Sequence, residues 1–434
     1  LIICLKHNFK IASKMKLYLN SVFLILLLSV PGLAVAQQLT LDQCYDLAKA
    51  NYPQINQLEL IKLSRDFSVE NAGKGNLPQI NLIGQATYQS DVTGFPIEIP
   101  NLVVEPLAKD QYKVYAEVLQ PLTNSATVKT QKQLLEANAL TQAQQLEVEL
   151  YQLKGRVNQV FFGVLLLDKQ LAQNEIRQKD LQVGIEKTKA AIENEIALQS
   201  SLDILKAELL NADQQRIELA ANQQGFTQML GLFIGQEIGA EVSLQIPILP
   251  ALSQEINRPE LGLFASQKQS ILLQQELISN KNIPQLNLFF QGGYGRPALN
   301  FLSNDFDLYY LGGLRFNWNI SRYYTSSREK ELLNLNQRGI AIQEETFRLN
   351  TEIALTQQET EIAKYLKLMQ TDREIITLRE RVQATASSQL EYGTITSNDL
   401  LTYINASDRA RQNLALHQIQ LLLAQSNYQI TSGN

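Results

Sequence analysis

A chain of 434 residues, 45% of them apolar and 19% charged, is long and apolar enough to bury a large core and is not a disordered polyelectrolyte. Its formal net charge of −5 argues against a nucleic-acid partner, and two cysteines allow neither a disulfide framework nor a thiolate metal cluster. The long apolar run begins at Ser21 and ends in Ala34-Val35-Ala36, a small-residue cleavage pattern, after Lys14 and Lys16. It reads as a secretory signal peptide. Met15 is then the expected start, residues 1–14 an upstream extension, and mature protein begins near Gln37. Cleavage there removes four lysines and no acid, which takes the net charge from −5 to −9. Cys44 alone remains and is expected as a buried helical thiol.

A helix is expected over 39–73, capped by Thr40 with Gln43 three residues on and kinked or broken at Pro53. Leu77-Pro78-Gln79-Ile80-Asn81-Leu82 opens a strand in which Ile80, Leu82, Ala86 and Tyr88 share one face and Asn81, Gln85, Thr87 and Gln89 the other. Gly94, Pro96, Pro100 and Pro106 make 91–110 a loop. A second strand carries Tyr112, Val114, Ala116 and Val118 on one face, Gln111, Lys113, Tyr115 and Glu117 on the other, and closes at Pro121.

Residues 123–197 lack proline. Leu146, Leu150, Leu153, Val157, Val160, Val164, Leu167 and Leu171 keep a strict heptad spacing, the mark of a long coiled-coil helix. A turn at Ala197 to Ser201 leads into a second helix to about 230, and 231–250 reads as a linker.

The order then repeats. Ile283-Pro284-Gln285-Leu286-Asn287-Leu288 returns 206 positions after the first copy, and Pro53/Pro259, Asn76/Asn282 and Tyr88/Tyr294 keep that offset. The expectation is an internal duplication: a helix over 259–280, strands over 283–294 and 307–319, a long helix over 323–388 with a looser stripe through Ile342, Leu349, Ile353 and Ile362, a turn at Tyr392-Gly393-Thr394, and a last helix to 428. The two helical turns are matched as Ser201-Leu202-Asp203 with Ser397-Asn398-Asp399, an offset of 196. The domains expected are 1–36, extension and signal peptide; 37–231, first repeat; 232–250, linker; and 251–434, second repeat.

About ten residues per strand, aromatic ends and one polar face fit an outer-membrane barrel wall. Four strands cannot close, and open edges in lipid would leave backbone groups unsatisfied, so several copies must assemble. The long amphipathic helices must then project into the periplasm. The alternative is a secreted coiled-coil scaffold or adhesion protein whose strands pack on its own helices. No catalytic motif appears. Gly292-Gly293-Tyr294-Gly295 ends a strand and is expected as a hairpin bend, and His417, the one histidine of the mature chain, as a packed or solvated residue.

The chain resembles the TolC-like family of outer-membrane efflux proteins over essentially all of the mature sequence. The duplicated Leu/Ile-Pro-Gln-Ile/Leu segments carry the resemblance, with Gln120-Pro121-Leu122 and Asn317-Trp318-Asn319-Ile320 at strand exits, and Gly393 followed six residues later by Asp399. It implies a mainly α protein with a membrane β-barrel, a homotrimer whose twelve-stranded barrel continues into an α-helical coiled-coil tunnel. It also implies a passive duct with no cofactor, held in outer-membrane lipid and docked onto a periplasmic adaptor protein and an inner-membrane pump. Two departures stand out: Asn319 where the family often has proline, and Ala197 in the first turn where Gly393 stands in the second. The docking residues expected are Ala197, Ser201, Gly393 and Ser397, at the free tips of the rods. For Asp203 and Asp399 two readings stay open: caps at helix starts, or, as the resemblance implies, acids lining a constricted periplasmic gate. Thr402 stands where the family can carry a second acid ring.

Overall fold

The computed structural model describes residues 38–93, 106–239, 242–249 and 251–434. The signal peptide and residues 94–105 of the first hairpin loop lie outside the described residues. Strand β1 (Gln38–Leu39) leads into helix α1 (Leu41–Asn51), a 3-10 turn at Pro53–Asn56 and helix α2 (Gln57–Gly73). Thr40 caps α1 in the expected box: its Oγ1 accepts from the Gln43 amide at 3.2 Å, while Gln43 Oε1 accepts from the Thr40 amide at 3.0 Å. The break expected at Pro53 is present and divides the segment into two helices. Proline lacks the N–H that a continuous helix needs at position 53, and Leu39 belongs to a strand instead.

Strands β2 (Gln79–Tyr88) and β3 (Asp110–Pro121) form the first hairpin, followed by α3 (Ser125–Glu193) and α4 (Gln199–Ile234). Strand β4 (Ser243–Leu244) pairs in parallel with β1. Part of the expected linker is thus a structural clasp: the Gln245 amide donates to the Leu39 carbonyl at 3.0 Å. Helix α5 (Pro259–Lys281), hairpin β5 (Gln285–Arg296) and β6 (Asp307–Asn317), and helices α6 (Tyr323–Glu391) and α7 (Ser397–Ser432) complete the chain.

Helices α3 and α6 each have 69 residues, roughly 100 Å at 1.5 Å per residue, and α4 and α7 each have 36. One offset, 198, relates α3 to α6, α4 to α7, and their left-handed terminal glycines Gly235 and Gly433. Of the heptad stripe on α3, every residue from Leu146 to Leu167 is buried. The looser stripe on α6 behaves differently: Ile362 is buried, but Ile342, Leu349 and Ile353 are more than half exposed. The reason is partnership. Helix α3 packs against α2, α4, α5 and α7, whereas α6 meets chiefly α5 and α7 and leaves a face open.

Three apolar clusters hold the rods. Near mid-length, Cys44 and Ala48 of α1 pack with Val157, Phe161 and Phe162 of α3, Leu230 and Ile234 of α4, and Ile419 of α7. Buried Asn158 ties the same level together, donating from Nδ2 to Ser426 Oγ at 2.9 Å and to Asn427 Oδ1 at 3.1 Å, and accepting from the Tyr45 hydroxyl. Burial pushes the Cys44 thiol up to about 12, an inert packed group. A second cluster lies beneath the helical turns, and a third joins α6 to α7 through Leu355, Ile362 and Tyr428.

The four long strands make one antiparallel sheet in the order β2-β3-β5-β6, with β2 and β6 as open edges. Register aligns Leu82 with Ala116, Ala116 with Gly292, and Gly292 with Tyr310, so one apolar face runs unbroken across the sheet. That face is open: Ile80 is 74%, Leu82 80% and Leu308 77% exposed. On the opposite face Glu117 accepts from Gln291 Nε2 and from Arg315 Nη2, both at 2.8 Å. The glycines 292, 293 and 295 do not form a bend; β5 continues to Arg296. A Cβ at Gly293 would lie 2.7 Å from the Val114 carbonyl, so these glycines permit close strand approach rather than a turn.

Candidate functional site

The two helical turns, 194–198 and 392–396, lie side by side at the end of the rods away from the sheet. They use the same hydrogen bonds 198 positions apart. Glu195 and Gly393 amides donate to the Ile192 and Leu390 carbonyls, and Ile196 and Thr394 amides to the Ala191 and Gln389 carbonyls. Both turns need a residue in the left-handed region, supplied by Gly393 (φ +68) and by Glu195 (φ +61). Glu195, not Ala197, therefore stands where Gly393 does. The offset of 196 is corrected to 198 as well. Ser201 occupies the place of Asp399, and Asp203 that of Leu401. The repeated Ser-x-Asp is a local coincidence; helix phase is set by Leu202 and Leu400, which are both buried in the cluster beneath the turns.

A Cβ on Gly393 would lie 2.5 Å from Ile196 Cγ2, so one turn rests directly on the other. Lys187 Nζ meets Glu391 at 3.3 Å and donates to the Ser387 carbonyl at 3.2 Å. Thr188 and Ser397 hydroxyls are 3.2 Å apart, and Ser397 is buried, unlike the half-buried Ala197 and Ser201.

Asp399 is exposed and closes a capping box at the start of α7. Its Oδ2 accepts from the Thr396 amide at 2.9 Å and hydroxyl at 2.6 Å, and the Asp399 amide donates back to Thr396 Oγ1 at 3.2 Å. The Thr396 hydroxyl, and then its amide, hold the Asp399 carboxyl below its usual range. Asp203, also exposed, accepts from Gln199 Nε2 at 3.3 Å, and Thr402 donates to the Asn398 carbonyl at 3.0 Å. With Leu198 in place of Thr396, the first turn has no side-chain cap.

Two arginines absent from the sequence expectations lock the helices above the tip. Arg411 of α7 meets Glu380 of α6 at 2.8 Å and Asp180 of α3 at 3.3 Å. Arg177 of α3 pairs with Glu208 of α4 and donates to Gln215 at 3.0 Å and Asn405 at 3.2 Å. Burial pushes the nearby Asp408 carboxyl up, while Gln173 and then Arg177 pull it back. The spacing of Arg177 with Asp180 and of Asp408 with Arg411, three residues each, was the available signal, but it names no partner across helices.

At the other end of the rods, Trp318 Nε1 donates to the Asn282 carbonyl at 3.1 Å and its ring meets Tyr323 edge-on at 6.4 Å, where the sheet joins the helices. Among the described residues no group of three or more His, Cys, Asp or Glu could hold a metal, and no helix is long and apolar enough to cross a membrane.

No protein-family model matches the chain, and no curated protein matches its sequence. Solved structures match its fold. The outer membrane protein VceC of Vibrio cholerae superposes with a TM-score of 0.63 at 11% identity, over 91% of this chain and 96% of that one. The MtrE outer membrane channel of Neisseria gonorrhoeae, in its open state, gives 0.64 at 13% identity, over 91% and 89%. The CmeC outer membrane channel of Campylobacter jejuni gives 0.61 at 12% identity, over 91% and 85%. The chain has the fold of outer-membrane channel proteins. More narrowly, that fold is the TolC-like one.

Proposed function

We propose that the chain is one protomer of a trimeric outer-membrane exit duct, which passively conducts substrates delivered by a periplasmic adaptor and an inner-membrane pump in efflux or type I secretion. One observation carries this reading. An open four-stranded sheet with an exposed apolar face is joined directly to two rods of 69 residues each. In lipid the free edges β2 and β6 need partners, and three copies would close twelve strands. The open stripe on α6 supports the same assembly, since Ile342, Leu349 and Ile353 are left largely uncovered by the chain's own helices. The secreted-scaffold alternative requires the strands to pack on the chain's own helices, and the exposure of Ile80, Leu82 and Leu308 speaks against it. Equal helix lengths and the constant offset of 198 support repeats over 37–231 and 251–434 joined by a linker at 232–250. The docking surface is assigned to the two turns, with Ala197, Ser201 and Gly393 presented and Ser397 bracing them through Thr188.

Lysine-reactive cross-linking in native outer membranes tests the assembly. The expected ladder stops at three chains; a limit at one chain or two overturns the trimer.

The gate is assigned to Asp399, with Asp203 flanking it and Thr402 one turn on. In a threefold assembly the Asp399 carboxylates converge at the mouth of the tunnel. The capping bonds engage Oδ2, which leaves Oδ1 to meet a cation. Within one protomer the Thr396 hydroxyl and amide favour the charged Asp399 carboxyl, whereas three converging carboxylates oppose one another's ionisation, so block by a trivalent cation should weaken as pH falls and the ring takes up protons. Planar-bilayer conductance under a salt gradient is expected to show lower cation preference and weaker trivalent block in Asp399→Asn than in wild type. Identical selectivity and block would leave Asp399 as a helix cap only.

A further inference from the structure

Between Pro297 and Phe306 the chain turns from β5 to β6 through ten residues, of which only Asp305 is charged. Leu299, Phe301 and Leu302 are each more than half exposed, an unusual composition for a loop facing water. The loop does not stand free of the sheet. Asn304 Nδ2 donates to the Pro106 carbonyl at 2.8 Å, and its Oδ1 accepts from the Ala108 amide at 2.7 Å, so the loop lies against the root of the first hairpin. Phe306 then stacks on Tyr294 at 5.6 Å and on Tyr112 at 6.3 Å. Both tyrosines belong to the apolar sheet face, in register with Val114 and Leu308, and with Ala86. Arg296 packs its guanidinium over Phe306 and Tyr112 and pairs with Asp110, which fixes the root of the loop.

We propose that this loop is an interfacial anchor, with Leu299, Phe301 and Leu302 seated in lipid at the outer boundary of the bilayer. The inference rests on the barrel reading above. The occupant is lipid because the loop continues the face that the barrel presents to lipid, and because Asn304 spends its polar atoms on the hairpin side. Aromatic and aliphatic groups beside an arginine are suited to that boundary, where one end of the site is apolar and the other wet.

The test moves the chain's single tryptophan. In a Trp318→Phe background, Phe301→Trp and, separately, Phe290→Trp at mid-sheet are assembled into phosphatidylethanolamine/phosphatidylglycerol vesicles, with and without bromine on the acyl chains. Phe290 lies on the apolar face, so it reports the barrel itself. Loss of most emission in brominated vesicles at both positions, with little quenching by aqueous iodide, supports the anchor. Bromine quenching at 290 combined with iodide quenching at 301 overturns the anchor and leaves the barrel standing. Protection of 301 from both quenchers assigns the loop to a neighbouring copy and also overturns it. Absence of bromine quenching at 290 removes the barrel reading, and the anchor with it.

Discussion

Gly393→Trp is expected to abolish export while leaving the assembled protein in the membrane. Two independent physical effects act at this position. Gly393 holds φ +68, where an L side chain costs about 1–2 kcal/mol. Steric conflict adds to that cost, because the first atom of any side chain would lie 2.5 Å from Ile196 Cγ2. Ile196 must turn aside, the turns separate or the backbone of one rebuilds, and each changes the surface proposed for docking. The helices above are held by their own cluster and by the Arg177 and Arg411 networks, so damage should stay at the tip. The readouts are retention of a fluorescent pump substrate in cells and the three-chain band after cross-linking. A second pair of variants isolates the cause. Gly393→Ala should impair export, and adding Ile196→Ala should restore part of it by removing the atom in the way. Normal export by Gly393→Trp would remove this turn from docking. Failure of Ile196→Ala to help would leave backbone strain, rather than the contact between turns, as the origin.

Phe161→Ala should cause the largest loss of stability, about 3–5 kcal/mol, the range for emptying a fully buried aromatic site. Phe161 is 0% exposed and lies edge-on to Phe162 at 5.7 Å, at the level where α1, α3, α4 and α7 meet. The cavity left behind would lie in the cluster that contains Cys44, so two measurements respond. The midpoint for loss of helical circular dichroism on heating in detergent should fall well below wild type. Cys44, 0% exposed and with its thiol pushed up to about 12, should change from inert to reactive toward a thiol reagent in the folded protein. Phe161→Leu, which fills more of the site, should lie between. A wild-type midpoint together with an inert Cys44 would mean that the rods hold together without this cluster.

Much of this molecule is a consequence of local sequence. The heptad stripe from Leu146 to Leu171 dictates a long helix with one buried seam because its spacing matches the helical period, and the seam is buried from Leu146 to Leu167. Alternation in 79–88 and 110–121 dictates strands with unlike faces, and Thr40 with Gln43 dictates a helix start. Each of these signals is carried by residues a few positions apart. Tertiary structure decided the rest. The phase relation between the halves is 198 rather than 196, since it depends on which leucines meet beneath the tip and not on a repeated Ser-x-Asp. The left-handed residue of the first turn is Glu195, a choice forced by the turn's hydrogen bonds rather than by a glycine. The clasp between Gln38–Leu39 and Ser243–Leu244 is two residues long, too short to carry a period. Arg411 finds Asp180 and Glu380 on two other helices, and Asn158 finds Ser426 across most of the chain. Charge and amide pairs of this kind act at a few ångströms in space, and only the packing of the rods brings residues so distant in sequence within that reach.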